Sequence, residues 1–175
     1  MRPENTRTSL LSGLNRQTLE HAARTTVAAT ASLAIARAFQ FPEPQWAAIS
    51  TMVVTQSTLG AALTISGQRF AGTALGALSA ALLAAQLGSG MLAFAVGIFG
   101  LGLVCAILRL DRAAYRFAGI TLAIVVLVSR VQPAWRIAMH RFFEVSAGIA
   151  TGLLMTALWP EGTQPVSGKG GGEST

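Results

Sequence analysis

The chain has a single cysteine, Cys105, so no intrachain disulfide can brace it. With only His21 and His140 beside that thiol, it offers no Cys/His spacing of a metal site. Asp111 is the sole aspartate, which argues against a carboxylate dyad inside the apolar segments. There is no G-x-S-x-G elbow, no Walker glycine loop, no H-E-x-x-H and no Cys-x-x-Cys. Gly168-Lys169-Gly170 lies near the C-terminus, without the spaced glycine or following helix that a phosphate loop needs. An enzyme of a soluble type is therefore not expected, and neither cofactor nor metal is called for. Charge is also scarce: charged residues make up 11% of the chain, against roughly 25% in a typical soluble domain. Lysine is nearly absent, since Lys169 is the one cation that is not arginine. The net charge of +6 could suit nucleic acid, but that needs a solvated basic face. Here the arginines stand at the ends of apolar runs, where topology and anionic headgroups account for them, so no nucleic-acid partner is expected.

Apolar sequence and glycine fill the chain instead. Hydrophobic residues are 52%, mean hydropathy is +0.54 and glycine numbers 18, a composition of closely packed membrane helices. Six apolar stretches lie between His21 and Pro160, each long enough or nearly long enough to cross a bilayer. The fold class expected is all-α integral membrane, a bundle of six transmembrane helices occupying residues 21–160. Span one covers His21 to Phe39, with Arg24 and Arg37 near its ends where long side chains can snorkel. A signal peptide competes there, because Ala34-Ile35-Ala36 resembles a cleavage site, but the leader is long, carries two glutamates, and further spans follow. Pro42 and Pro44 make a turn, and span two runs from Trp46 to Leu63 with a polar second half at Thr51, Thr55, Gln56, Ser57 and Thr58. Ser66-Gly67-Gln68-Arg69 reads as a connection, span three as Phe70 to Leu87, Gly88-Ser89-Gly90 as a tight turn, and span four as Met91 to Leu108. A charged loop from Arg109 to Arg116 overlaps the start of span five, Ala113 to Val131, which Gln132-Pro133 breaks. Trp135 to His140 reads as interfacial and span six as Arg141 to Trp159. Residues 1–20 read as a basic segment in which Ser12 to Glu20 could form an interfacial helix. Residues 161–175 read as a disordered tail.

Arginine asymmetry sets orientation. With the N-terminus in the cytoplasm, Arg2, Arg7, Arg16, Arg24, Arg69, Arg109, Arg112, Arg116 and Lys169 face inward, and Arg37, Arg130, Arg136 and Arg141 face outward. Both termini are expected to be cytoplasmic, in the inner (plasma) membrane of a bacterium.

Few residues in such a chain can carry chemistry. Arg141 and Glu144 stand three apart and share a helix face. Glu144 is the acidic residue best placed inside a span, so it is a candidate for proton coupling; a local ion pair with Arg141 is the bland reading. Arg69 could bind an anion or mark a cytoplasmic boundary. Gln56, with Ser57 and Thr58, could line a polar path or hold helices together. Gly72 and Gly76, like Gly148 and Gly152, form G-x-x-x-G faces for close helix packing. Trp46, Trp135 and Trp159 suit interfacial anchors.

Three blocks carry a family likeness: Trp46-Ala47-Ala48-Ile49-Ser50 with Val53-Val54-Thr55-Gln56-Ser57; Gln68-Arg69 with Gly72-Thr73 and Gly76; and Tyr115-Arg116-Phe117-Ala118-Gly119. Trp135, Arg141, Glu144, Gly148 and Trp159-Pro160 follow in a similar order. From about Glu20 to Pro160 the chain resembles the membrane domain of the fusaric acid resistance and aromatic acid exporter families. The resemblance implies a six-helix inner-membrane unit for proton-driven efflux of aromatic carboxylates, working as a dimer. Many relatives carry two such units with large cytoplasmic domains, whereas here one unit is followed by a short tail, so a homodimer is expected to build the pathway. Arginine pairs well with carboxylate, which makes Arg69, Arg116 and Arg141 the candidates for anion contact. An uncoupled anion channel and a structural subunit of a separate efflux system are the competing readings.

Overall fold

The computed structural model describes residues 16–56, 58–128 and 133–159, and these are helical with no strand among them. The order is α1 (Arg16–Ala38), α2 (Gln45–Val54), α3 (Leu59–Leu87), α4 (Met91–Ile107), α5 (Arg112–Ala123), a π-helical continuation (Ile124–Val128) and α6 (Ala134–Leu158). Each helix buries a stripe. In α1 it is Arg24, Ala28, Ser32 and Ala36, one residue every fourth position. In α4 it is Ala93, Gly97, Leu101 and Cys105 at the same spacing. Such a period places one narrow face inward. The opposite face of α4 is apolar as well: Met91, Leu92, Phe99 and Ile107 are 71–83% exposed.

The long helix α3 is the spine. It packs along α5 and α6, while α2 packs between α1 and α6. One core joins Ala77 and Ala80 of α3 to Ala93 and Leu101 of α4, Ala118 and Leu122 of α5 and the π-helical valines. A second joins Val54 of α2 to Val145 and Ile149 of α6, with Ile65 of α3 against it. Glycines permit the close crossings. A methyl group at Gly72 or Gly76 would run into the carbonyl oxygens of Ala114 or Ala118 of α5, and one at Gly148 would meet Ala47 and Ser50 of α2. Gly152 lies against Val54 and Thr51 of the same helix.

Several boundaries differ from those read in the sequence. Ser66-Gly67-Gln68-Arg69 is not a connection but an uninterrupted part of α3. A glycine inside a helix costs only about 1 kcal/mol, which the packing of buried Ser66 and Arg69 offsets. The break falls earlier, where Thr55 leaves α2 in an extended conformation and Thr58 caps α3 by accepting from the Ala61 amide. The second apolar stretch is thus a 10-residue helix, about 15 Å long. Helix α6 begins at Ala134, with Pro133 as its N-cap, so Trp135 to His140 are its first turns rather than a separate interfacial piece. Arg16 to Glu20 belong to α1, and Ser12 to Asn15 lie outside the described residues. The remainder of the basic segment, the tail 161–175, Ser57, Arg130, Gln132 and Pro160 also lie outside them. The end of α3 at Leu87, with Gly88 at φ 73°, and the extent of α4 follow the sequence reading closely.

Among the described residues, α3 and α6 are long and apolar enough to cross a membrane, and α2 and α4 are shorter apolar helices.

Candidate functional site

Helices α2, α3, α5 and α6 converge on a pocket lined by Trp46, Arg69, Thr73, Phe117, Thr121 and Arg141. Each polar residue reaches it by its position on a helix stripe. Arg69 follows Ala62 and Ser66 on the buried face of α3, and Arg141 follows Ala138 on that of α6. Their exposures are 7% and 2%, so neither snorkels to a surface.

Arg69 donates from Nη2 to the Ser50 hydroxyl at 3.0 Å. Ser50 in turn donates to the Trp46 carbonyl at 2.6 Å, which leaves its lone pairs for the guanidinium. The Arg69 guanidinium lies 4.9 Å from the Phe117 ring centre, and that of Arg141 lies 3.8 Å from the Trp46 ring centre. Aromatic faces stabilise cations by about 0.5–2 kcal/mol, so each arginine has an aromatic wall. Arg141 donates from Nη2 to Glu43 Oε2 at 3.0 Å. Glu144 Oε1 accepts the Glu43 backbone amide at 2.8 Å. Arg69 Nε, Arg141 Nε and Arg141 Nη1 are buried and have no hydrogen-bond partner among the described residues.

The local pair expected between Arg141 and Glu144 takes a different form. Arg141 bonds the Glu43 side chain, and Glu144 holds the turn that carries it. Trp46 is half-buried with its ring against Arg141, which goes beyond an interfacial anchor. Trp135 and Trp159 are exposed. Gln56 stands apart from the pocket: its side-chain amide donates to the Val53 carbonyl, and its backbone carbonyl accepts from Arg24 Nη2 at 2.6 Å. Arg116 is exposed on α5, outside the pocket.

Sequence reading passed over three members of this arrangement, and the burial of Arg24 outside it. Glu43 lies between two prolines, where a carboxylate reads as solvated. Ser50 and Phe117 stand in the family-like blocks, but nothing in the sequence assigns either a contact with an arginine. Arg24 was read as snorkelling, yet it is 0% exposed and also donates to the Trp159 carbonyl at 2.9 Å. It ties together α1, the end of α2 and the end of α6.

Residues 29–155 match the family described as fusaric acid resistance protein-like, and that span holds every residue of the pocket. The chain belongs to this family. Its similar relatives include the uncharacterized transporter YdhK of Escherichia coli strain K12, 34% identical over 149 residues, which covers 80% of this chain and 22% of the relative. The YdhK protein of Salmonella typhimurium strain LT2 is 32% identical over 150 residues, with the same two shares. The chain thus spans about a fifth of the length of these relatives. No solved structure matches it. Arg24 and Trp159 fall outside the family match, one on each side of it.

Proposed function

We propose that this chain is the membrane unit of a transporter that exports small organic anions, aromatic carboxylates among them, across a bacterial inner membrane, working as a homo-oligomer driven by the proton gradient. One observation carries the reading: two buried arginines on different helices face one pocket with three N–H donors unmatched among the described residues. Buried unpaired donors are costly, about 1–3 kcal/mol each and more when charged. A carboxylate satisfies several of them at once, and Trp46 and Phe117 suit an aromatic body attached to it. Family membership and the transporter names of the relatives support the same class.

The proposed topology is six crossings with both termini in the cytoplasm. Helix α3 and helix α6 are long enough alone. Helix α4 has 17 residues, about 26 Å, close to the hydrocarbon thickness of roughly 30 Å. Helix α2 needs the residues before α3 to complete its crossing. Such interrupted helices are tolerated in membranes where the broken backbone is satisfied by protein, and Arg24 supplies the donor at Gln56. Glu144, 1% exposed beside the arginines, is the coupling candidate.

The test is flux of radiolabelled benzoate through purified protein in liposomes, with and without an imposed proton gradient. Wild type should show gradient-dependent flux, Arg69→Ala should lose it, and Glu144→Gln should keep only gradient-independent flux. Flux indifferent to the gradient in wild type would replace the coupled exporter with a channel. The absence of flux from folded wild type would leave a structural subunit.

A further inference from the structure

A threonine inside a helix can return its hydroxyl to the carbonyl one turn back, and most buried threonines of this bundle do so. Thr51, Thr55, Thr121, Thr151 and Thr156 each donate to the carbonyl four residues earlier at 2.8–3.0 Å. Thr73 is the exception. It is 2% exposed and lines the pocket, yet its hydroxyl has no hydrogen bond to any described residue. The hydroxyl is therefore turned off the main chain of α3, which keeps an O–H donor free. Thr121, the other threonine of the pocket, already donates its proton to the Phe117 carbonyl. A buried hydroxyl without a partner is costly, and a ligand in the pocket would supply one.

The residue one turn before Thr73 is Arg69. Residues four apart share a helix face, about 5–6 Å between β-carbons, so α3 presents both side chains to the pocket. Arg69 directs a bond from Nη2 to Ser50 on α2, and the Phe117 ring covers a face of its guanidinium at 4.9 Å. The edge of the guanidinium remains, and Nε, the nitrogen next to the stem, has no partner among the described residues. A guanidinium edge and a free hydroxyl on one helix face are two donors, and a carboxylate has two oxygens to accept from them.

We propose that Thr73 is a ligand-contacting residue of this site: its hydroxyl donates to one oxygen of the transported carboxylate while Arg69 holds the other. This rests on reading the Arg69–Arg141 pocket as an anion site. The arginines attract an anion by charge; the hydroxyl bond is directional and fixes how the carboxylate lies. Loss of the hydroxyl should therefore weaken the ligand and leave the unliganded fold intact, because no contact with a described residue is given up.

The experiment is calorimetric titration of the purified protein with benzoate, beside thermal unfolding of each variant without ligand. Thr73→Val removes the hydroxyl at nearly constant shape. It should weaken benzoate about tenfold, the scale of one charge-assisted hydrogen bond. It should also melt at or above the wild-type temperature, since a methyl group replaces an unpartnered buried hydroxyl. Thr73→Ser keeps the hydroxyl and should bind benzoate within about threefold of wild type. Benzoate affinity unchanged in Thr73→Val would overturn the proposal. So would equal losses in Thr73→Val and Thr73→Ser, which would make shape rather than the hydroxyl the cause. A lower melting temperature in Thr73→Val would assign the hydroxyl to the fold and overturn it as well. In each of these cases the anion site would stand if Arg69→Gln and Arg141→Gln still weaken benzoate. Benzoate binding untouched by those two arginine variants would instead remove the anion site itself and the proposal with it.

Discussion

Two buried arginines at opposite levels of the bundle do different work. Arg24 closes main-chain acceptors, Gln56 O and Trp159 O, that a helix end in an apolar setting cannot leave open. Arg141 is matched by one half-exposed carboxylate and a ring. Their removal should therefore cost unequal amounts. Arg24→Ala should lower stability on the order of 3 kcal/mol, from two charge-assisted bonds lost and a cavity left. Arg141→Gln should change it by less than about 1 kcal/mol, because Glu43 can return to a polar environment and a buried charge is removed. Thermal unfolding in detergent checks both, and equal losses would contradict the division of roles. Arg141 and Glu144 were conspicuous in the sequence as charges at the head of an apolar run, whereas Arg69 was read in a connection and only the fold places it on a buried helix face. The partners of Arg24 were not legible, since they are carbonyls 32 and 135 positions away and carry no side-chain signature.

At the scale of the helices, the same residue type has opposite consequences. Gly67 lies mid-α3 with nothing within 4 Å of a would-be methyl group, whereas Gly76 faces the Ala118 backbone. Gly67→Ala should raise stability by about 0.5–1 kcal/mol through helix propensity alone. Gly76→Ala should lower it by about 1–3 kcal/mol, since backbones rather than flexible tips must move. A destabilising Gly67→Ala, read by the same melts, would put a turn back at 66–69. The sequence suggested that turn because serine, glycine, glutamine and arginine together resemble a loop. What overrides the local signal is tertiary: Ser66 and Arg69 fall on the buried stripe, and Gln68 donates to Asp111 at 2.7 Å, in the turn before α5. The break at Thr55–Thr58 was disguised by its apolar flanks, although threonine is a good N-cap. Gly88 marks a helix limit by backbone chemistry that sequence reveals directly, so the C-terminal end of α3 was closer to hand than the start of α6, read at Arg141, or the division between α2 and α3.

Across the whole molecule, α3 and α6 take part in both cores, and both helices line the pocket. Its walls come from four helices, α2, α3, α5 and α6. Such a position suits a ligand that shifts one packed group against the other, as the proposed transport requires. The general class of fold was readable from composition and arginine placement; the pocket was not, because it depends on which helix faces meet. The central claim is that Arg69 and Arg141 form one site for a carboxylate. It is tested most directly by calorimetric titration of the purified protein with benzoate and with benzyl alcohol, its neutral counterpart. Wild type should bind benzoate and not benzyl alcohol, and Arg69→Gln and Arg141→Gln should each weaken benzoate at least about tenfold, the loss of one charge-assisted interaction. Equal binding of the two compounds, or benzoate affinity unchanged in both variants, would contradict the account.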